Sequence, residues 1–253
     1  MIYVLLPTYN EEHSIEPLLL RIKKGMSKRN YQYSVVVYND GSTDNTSEIL
    51  KKNVYDIPLV IIGERENKGL GYAMNSLVNR VLELSTGDDD VAVVLDADNT
   101  HNPEHIFRMV DDISDGFDVV IASRFLRDSR TLGVPKYRNL LSIVASYLMK
   151  ILFPIKGIRD YTCGYRAYRV GVLRDAKNIY GDALITERGF ACMAELLIKL
   201  RRLGILAVEI PLVLKYNLKR GKSKMDVPAT ILKTLRLIWR SLFGRKTIKA
   251  TLE

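Results

Sequence analysis

Val91-Ala92-Val93-Val94-Leu95-Asp96-Ala97-Asp98 is the stretch that decides the fold. Five apolar residues in a row, three of them β-branched, read as a short strand covered on both faces, as in parallel sheets flanked by helices. The run then breaks directly into two carboxylates. Ligands of an open parallel sheet gather beyond the carboxyl ends of its strands, so residues 96–98 are the first place to look for chemistry.

Outward from that strand the same unit repeats. Strands are predicted at 2–6, 33–38 and 59–62, with helical patterns at 44–52 and 72–84. The first helix has Ser14 as its N-cap and Pro17 in its first turn, with Ile15, Leu18, Leu19 and Ile22 on one face. Downstream, Pro103 opens a helix and 119–122 is a further buried strand. Alternating strands and helices predict an α/β protein with a Rossmann-like, mostly parallel sheet flanked by helices. The second half is less regular: an apolar helix at 140–153, a loop at 160–166, a helix near 190–203 and a strand at 206–214. A basic linker at 219–224 leads to a final helix at 231–243, and there is no internal repeat.

A chain of 253 residues, 47% hydrophobic, holds one sizeable core and a short appendage. The expected division is a catalytic domain over 1–216 and, over 217–253, a basic loop with a C-terminal basic amphipathic helix. Net charge is +9, but it is confined: residues 215–253 hold 11 Lys and Arg against 2 Asp and Glu, leaving 27 of each sign before them. A nucleic-acid binder is disfavoured, because basic and aromatic residues do not interleave along the body. Cys163 and Cys192 lack metal-ligand spacing and are too few for a disulfide framework, which points to a reducing, cytoplasmic setting. The first residues lack a basic region before a short apolar run, so no signal peptide is expected. No segment has the ~18–20 uninterrupted apolar residues of a spanning helix, so any membrane association is peripheral.

Three polar clusters follow strands: Pro7-Thr8-Tyr9-Asn10-Glu11, Asn39-Asp40-Gly41-Ser42 and Asp96-Ala97-Asp98. Asp96 and Asp98 can share a hard cation that also takes diphosphate oxygens, the oxygen-rich coordination that Mg²⁺ and Mn²⁺ prefer. Taken alone, a DxD triplet is more often a solvated loop or a helix cap. Its position after an apolar strand shifts the balance, because charge beside a core needs a partner. Gly41 suits a turn and Ser42 or Thr43 a helix cap, while Asp40 is placed to accept from a base or ribose. Gly69 and Gly71 read as turn residues, since no complete GxGxxG surrounds them.

The runs PTYNEE (7–12), YNDGSTDNT (38–46), LDADNTHNPE (95–104), ASRF (122–125), DYTCGYRAY (160–168) and RGKSKM (220–225) together resemble family 2 glycosyltransferases of the dolichyl-phosphate mannose synthase type. The likeness covers about residues 1–225. It implies a GT-A fold and inverting, metal-dependent transfer of a sugar from a nucleotide-sugar, GDP-mannose first and a UDP-sugar second, to a polyprenyl or dolichyl phosphate. On this resemblance Pro7, Tyr9, Glu11, Asp40 and the triplet Asp96-Ala97-Asp98 bind donor, and Asp96 and Asp98 hold Mg²⁺ or Mn²⁺. Thr100 stands where the family has a Gln as third metal ligand, and Asn39 where it has an Asp. Arg124, Arg138, Arg220, Lys222 and Lys224 match phosphate-binding positions, with Asp98, Arg124 and Arg138 as the catalytic set. Leu218 replaces a family Arg, with Arg220 as substitute. The RGKSK loop reads as a lid over phosphates.

A phosphate monoester is already anionic and needs positioning and screening of charge, so no general base is assigned. Asp160 and Glu195 are the carboxylates placed either to contact sugar or to orient a basic side chain. Residues 140–153 are too short to span a bilayer and read equally as a buried or a lipid-facing helix. Trp239 and Phe243 beside Lys233, Arg236 and Arg240 suit an anionic membrane surface, a membrane-anchoring subunit or a second copy. The competing readings are transfer to a sugar hydroxyl and a catalytically silent nucleotide-sugar-binding module.

Overall fold

A computed structural model describes residues 1–52, 56–218 and 227–243. Strands β1 (Ile2–Thr8), β2 (Tyr33–Asp40), β3 (Leu59–Glu64) and β4 (Val91–Val94) are separated by helices α1 (Ile15–Arg29), α2 (Thr46–Lys52) and α3 (Leu70–Leu84). Then follow α4 (His105–Ser114), β5 (Val119–Ser123), β6 (Arg130–Leu132), α5 (Lys136–Leu152), β7 (Arg166–Arg169) and α6 (Val170–Tyr180). The remaining elements are α7 (Ala191–Arg201), β8 (Ala207–Pro211), β9 (Val213–Lys215) and α8 (Val227–Phe243).

Among the described residues the main sheet has the order β3-β2-β1-β4-β7-β5-β8. It is parallel except for β7, which runs antiparallel between β4 and β5. Val91 to Leu95 are all buried, as an apolar strand in the middle of a covered sheet requires. Because β1, β2 and β4 are adjacent and parallel, the three polar clusters emerge at one sheet edge.

The strand expected over 206–214 changes sheets instead. Leu212 donates its N–H to the Ser123 carbonyl and accepts from Arg130 N–H, so the chain leaves β5 and pairs with β6 as β9. The helix expected at 140–153 starts earlier and has two apolar sides. Ser146 and Met149 are buried, while Tyr137, Leu140, Val144, Tyr147 and Ile151 form an exposed stripe at helical spacing. On α8, Leu237 and Ile238 are buried and Leu232, Leu235 and Trp239 exposed. Among the described residues no helix is long and apolar enough to cross a membrane.

Gly71 fixes how α3 meets the segment before α7. Its N–H donates to the Arg188 carbonyl at 3.0 Å, and an added Cβ would lie 1.7 Å from the Glu187 carbonyl oxygen. Gly71→Ala is therefore expected to destabilise the fold by about 1–3 kcal/mol through overpacking. That outweighs the ~1 kcal/mol gained from alanine's better helix propensity. A chemical-denaturation midpoint equal to or above wild type would refute this contact.

Candidate active site

Loops after β1 and β2 are laced together before any ligand arrives. Asn10 takes a left-handed conformation (φ 50°), which lets its N–H donate to Ser42 Oγ at 3.0 Å and its Oδ1 accept from Thr43 N–H at 2.8 Å. Glu11 N–H donates to Thr46 Oγ1 at 2.8 Å, Glu12 N–H donates to Asp44 Oδ2 at 3.1 Å, and Glu12 Oε2 accepts from Asn45 N–H at 3.0 Å. Tyr9 and Glu11 are thus held on a preformed shelf at the end of β1.

Asp40 ends β2, and both its oxygens meet backbone: Oδ1 accepts from Lys68 N–H at 2.7 Å and Oδ2 from Gly69 N–H at 2.9 Å. The side chain expected to face a base or ribose also ties down the turn that opens α3. Gly69, at φ 91°, supplies the backbone conformation that this turn needs.

After β4 the chain makes a tight turn around Asp98. Its Oδ1 accepts from Thr100 N–H at 3.1 Å and from the Thr100 hydroxyl at 2.7 Å, with Asn99 at φ 63° between them. Arg21 of α1 holds Asn99, donating Nη1 to its Oδ1 at 2.5 Å, and reaches Asn102 Oδ1 at 3.1 Å. Asp96 N–H donates to His101 Nδ1 at 3.2 Å, and the His101 ring stacks on Tyr165 at 4.8 Å between centroids. Arg21, His101 and Tyr165 were not singled out from sequence. Only Thr100, two positions after Asp98 and at the family's third metal-ligand position, hinted that the residues following the carboxylates matter.

Arg124, just past β5, is locked by Asp160. Its Nε and Nη2 donate to the two carboxylate oxygens at 2.8 and 2.7 Å, and its own N–H adds a third bond at 3.1 Å. Burial acts against the guanidinium charge, but the neighbouring Asp160 carboxylate more than offsets it and raises the Arg124 pKa. For Asp160 burial acts upward, and Arg124 with the surrounding donors brings the carboxyl below its ordinary value. Glu209 of β8 supports the loop from beneath, its Oε1 accepting from Arg159 N–H at 2.7 Å and Asp160 N–H at 2.6 Å. Of the two alternatives for Asp160, the structure has the orienting of a basic side chain.

Glu195 likewise meets basic side chains, Lys199 at 2.6 Å and Arg240 at 3.0 Å. Fully buried Arg166 donates Nη1 to the Met193 carbonyl at 2.6 Å and Nη2 to the Tyr161 carbonyl at 2.8 Å, joining the 160–163 loop to α7.

A cavity of about 320 Å³ gathers part of this set. Pro7, Asp96, Asp98, Thr100, His101 and Arg124 line one part of it. Leu141, Val144 and Leu148 of α5 and Ile231 and Leu235 of α8 line another. Tyr9, Glu11, Asp40 and Ala97 are not on its wall, although they stand at the same sheet edge. Arg138 lies in α5 but its side chain is outside the described residues, as are Arg220, Lys222 and Lys224. Cys163 also lines the cavity, and burial pushes its thiol up to about 12, so it stays protonated and is no nucleophile at neutral pH.

The oxygens of Asp96 and Asp98 suit a hard divalent cation. Gly164 leaves room beside them: a Cβ there would stand 3.6 Å from Asp96 Oδ1. Among the described residues no group of three or more His, Cys, Asp or Glu is arranged as a metal cage. A cation here would have to complete its shell with other oxygens, as Mg²⁺ does with substrate phosphates, and the donor set fits that use. Thr100 already gives its hydroxyl proton to Asp98, so only its lone pairs remain to face a metal.

Comparison with known proteins agrees with this arrangement of strands and loops. Dolichol-phosphate mannosyltransferase of Pyrococcus furiosus is 33% identical over 238 residues, 94% of this chain and 62% of that protein, so the chain spans less than two thirds of this relative's length. Undecaprenyl-phosphate mannosyltransferase of Micrococcus luteus is 31% identical over 226 residues, 89% of this chain and 87% of that protein. Among solved structures, Mycobacterium tuberculosis glucosyl-3-phosphoglycerate synthase in complex with Mn²⁺, UDP and glucosyl-3-phosphoglycerate superposes with a TM-score of 0.64. It covers 99% of this chain and 81% of that one, at 19% identity, and shows the shared GT-A architecture. Residues 3–176 match the family described as Glycosyl transferase family 2. With a match over more than half of its length, the chain belongs to glycosyl transferase family 2.

Proposed function

We propose that this protein transfers a hexose, mannose in the first place, from a nucleotide-sugar to a polyprenyl phosphate at the cytosolic face of a membrane, with inversion at the anomeric carbon. The observation that carries the reading is the chemistry of the cavity. Carboxylates and a locked arginine occupy one part and an apolar wall from α5 and α8 another, which matches a phosphate head on an isoprenoid tail. The P. furiosus and M. luteus relatives, named for mannosyl transfer to dolichol phosphate and undecaprenyl phosphate, support the same donor sugar and acceptor class.

In this reading Asp96 and Asp98 hold Mg²⁺ or Mn²⁺, which when bound neutralises the diphosphate leaving group. Arg124, held rigid by Asp160 and also bonded through Nη2 to the Thr162 hydroxyl and through Nη1 to the Ser142 hydroxyl, presents its positive charge and its one remaining Nη1 hydrogen to a phosphate, with Arg138 and the basic 220–224 loop as further cations. A phosphate oxygen of the acceptor forms the new bond to the anomeric carbon as the bond to the nucleoside diphosphate breaks. Asp96 and Asp98 are the only carboxylates among the described residues lining the cavity. That suits an acceptor whose nucleophile is already anionic, and disfavours a sugar hydroxyl, which needs a base within reach. Exposed apolar residues on α5 and α8 support a peripheral position on the bilayer that holds the lipid.

Incubating the protein with undecaprenyl or dolichyl phosphate, Mn²⁺ and radiolabelled GDP-mannose should move label into the organic phase. UDP-glucose and UDP-N-acetylglucosamine serve as comparison donors. No metal-dependent label in that phase with any of the three would sink the lipid-acceptor reading.

A further inference from the structure

Glu195 of α7 is only 1% exposed, yet three chain segments converge on it. Its carboxylate accepts from Thr186 N–H and Glu187 N–H, both at 2.8 Å, and from the Thr186 hydroxyl at 2.6 Å. Lys199 Nζ, one turn along α7, donates at 2.6 Å, and Arg240 Nη2 of α8 donates at 3.0 Å. Arg240 Nη2 also bonds the Thr186 hydroxyl, and its Nη1 stands 3.6 Å from Glu187 Oε1. Burying a carboxylate is costly unless it is paired and hydrogen-bonded, so this arrangement fixes its members relative to one another.

Two neighbours give the clasp a place in the site. On one side, the Glu187 and Arg188 carbonyls press on Gly71 of α3, next to Leu70, which lines the cavity. On the other, α8 carries Thr230, Ile231, Thr234 and Leu235, its contribution to the cavity wall. The burial of Leu237 and Ile238 gives α8 adhesion without direction, and the Arg240 ion pairs with Glu187 and Glu195 give it directional contacts with the body. Non-directional burial lets a helix slide or turn, whereas a charged pair anchored on a buried carboxylate sets its register.

We propose that Glu195 and Arg240 are positioning residues that set α8 as the outer, tail-facing wall of the acceptor cavity, and so determine how strongly the enzyme favours long isoprenoid tails over short ones. Neither residue lines the cavity, and both act through Ile231, Thr234 and Leu235. The inference rests on the lipid-acceptor reading above and goes beyond it, because it assigns tail discrimination to a clasp outside the cavity.

The test compares undecaprenyl phosphate with water-soluble citronellyl phosphate, which is too short to use the whole wall. Arg240→Gln is the main variant because Arg240 is half exposed and its loss leaves Glu195 paired with Lys199. KM for undecaprenyl phosphate is expected to rise about tenfold, as for loss of one charge-assisted hydrogen-bonded pair, with kcat and citronellyl phosphate KM within about twofold of wild type. Arg240→Lys should recover part of the long-chain KM. Equal changes for both acceptors, or none for either, would overturn the proposal, since general loosening of the fold does not distinguish tail lengths. If wild type transfers to neither acceptor, the lipid-acceptor reading fails first and this inference falls with it.

Discussion

Asp98→Asn is expected to lower sugar transfer about 10²–10³-fold, the scale for removing one group that stabilises charge developing on a leaving group. An asparagine retains the Oδ1 that accepts from Thr100 N–H and the Thr100 hydroxyl, so the turn after β4 keeps its hydrogen bonds. What disappears is the negative charge. Thermal unfolding should therefore stay within ~2 °C of wild type, a change of less than about 1 kcal/mol. Mn²⁺-dependent binding of the nucleoside diphosphate, followed by calorimetry, should be lost alongside activity. Full activity in the variant would remove Asp98 from the metal site. A large fall in melting temperature would show that the charge, rather than the hydrogen bonds, holds the turn.

Asp160→Ala is expected to be the most destabilising single change in the site, at about 3–5 kcal/mol, because it leaves the Arg124 guanidinium without its carboxylate in a largely enclosed position. The same truncation strands the N–H groups of Thr162 and Cys163, which donate to Asp160 Oδ1 at 3.1 and 3.0 Å. In a chain of this size the loss corresponds to a fall in melting temperature of about 10 °C. Acid should expose the same interaction in wild type. Burial opposes the Asp160 charge, Arg124 outweighs it, and the folded pKa lies below the unfolded one. The unfolded chain therefore binds more protons as pH falls. The contribution is complete above about pH 4 and is lost as acid protonates the folded carboxylate. Glu209, raised by burial, works in the opposite sense, since its charged form costs stability at neutral pH. Urea titrations of Asp160→Asn from neutral pH down to the acid limit should show a flatter acid limb than wild type. Parallel acid limbs would exclude Asp160 as the source.

Much of the first half was legible because burial there writes itself into composition. Val91 to Leu95 can only be a covered strand, and the turn residues after β1 and β2 are those that left-handed or capped backbone demands. β7 was not legible. Arg166-Ala167-Tyr168-Arg169 carries two cations in four residues, yet Arg166 is fully buried because the carbonyls of Met193 and Tyr161 receive it. Those acceptors belong to backbone and leave no mark in the sequence. The same limit explains Asp160 and Glu195. A lone carboxylate in a motif signals importance, but whether it meets sugar or arginine depends on residues 36 positions before it in one case and 45 after it in the other. For α5 the buried reading holds on one side only, since Met149 faces inward and Tyr147 is exposed.

The antiparallel strand β7 has a consequence for how the protein is made. β4 delivers Asp96 and Asp98, yet its neighbour on one side is β7, whose residues follow some seventy positions later: Val94 pairs with Arg166 and Val91 with Arg169. During synthesis the strand bearing the carboxylates therefore stays open along one edge until the ribosome has released the chain through β7. Such non-local pairing carries a loop-closure cost before it is rewarded. A nascent chain stopped near residue 150 would hold both carboxylates with an exposed strand edge beside them, a form open to misassembly.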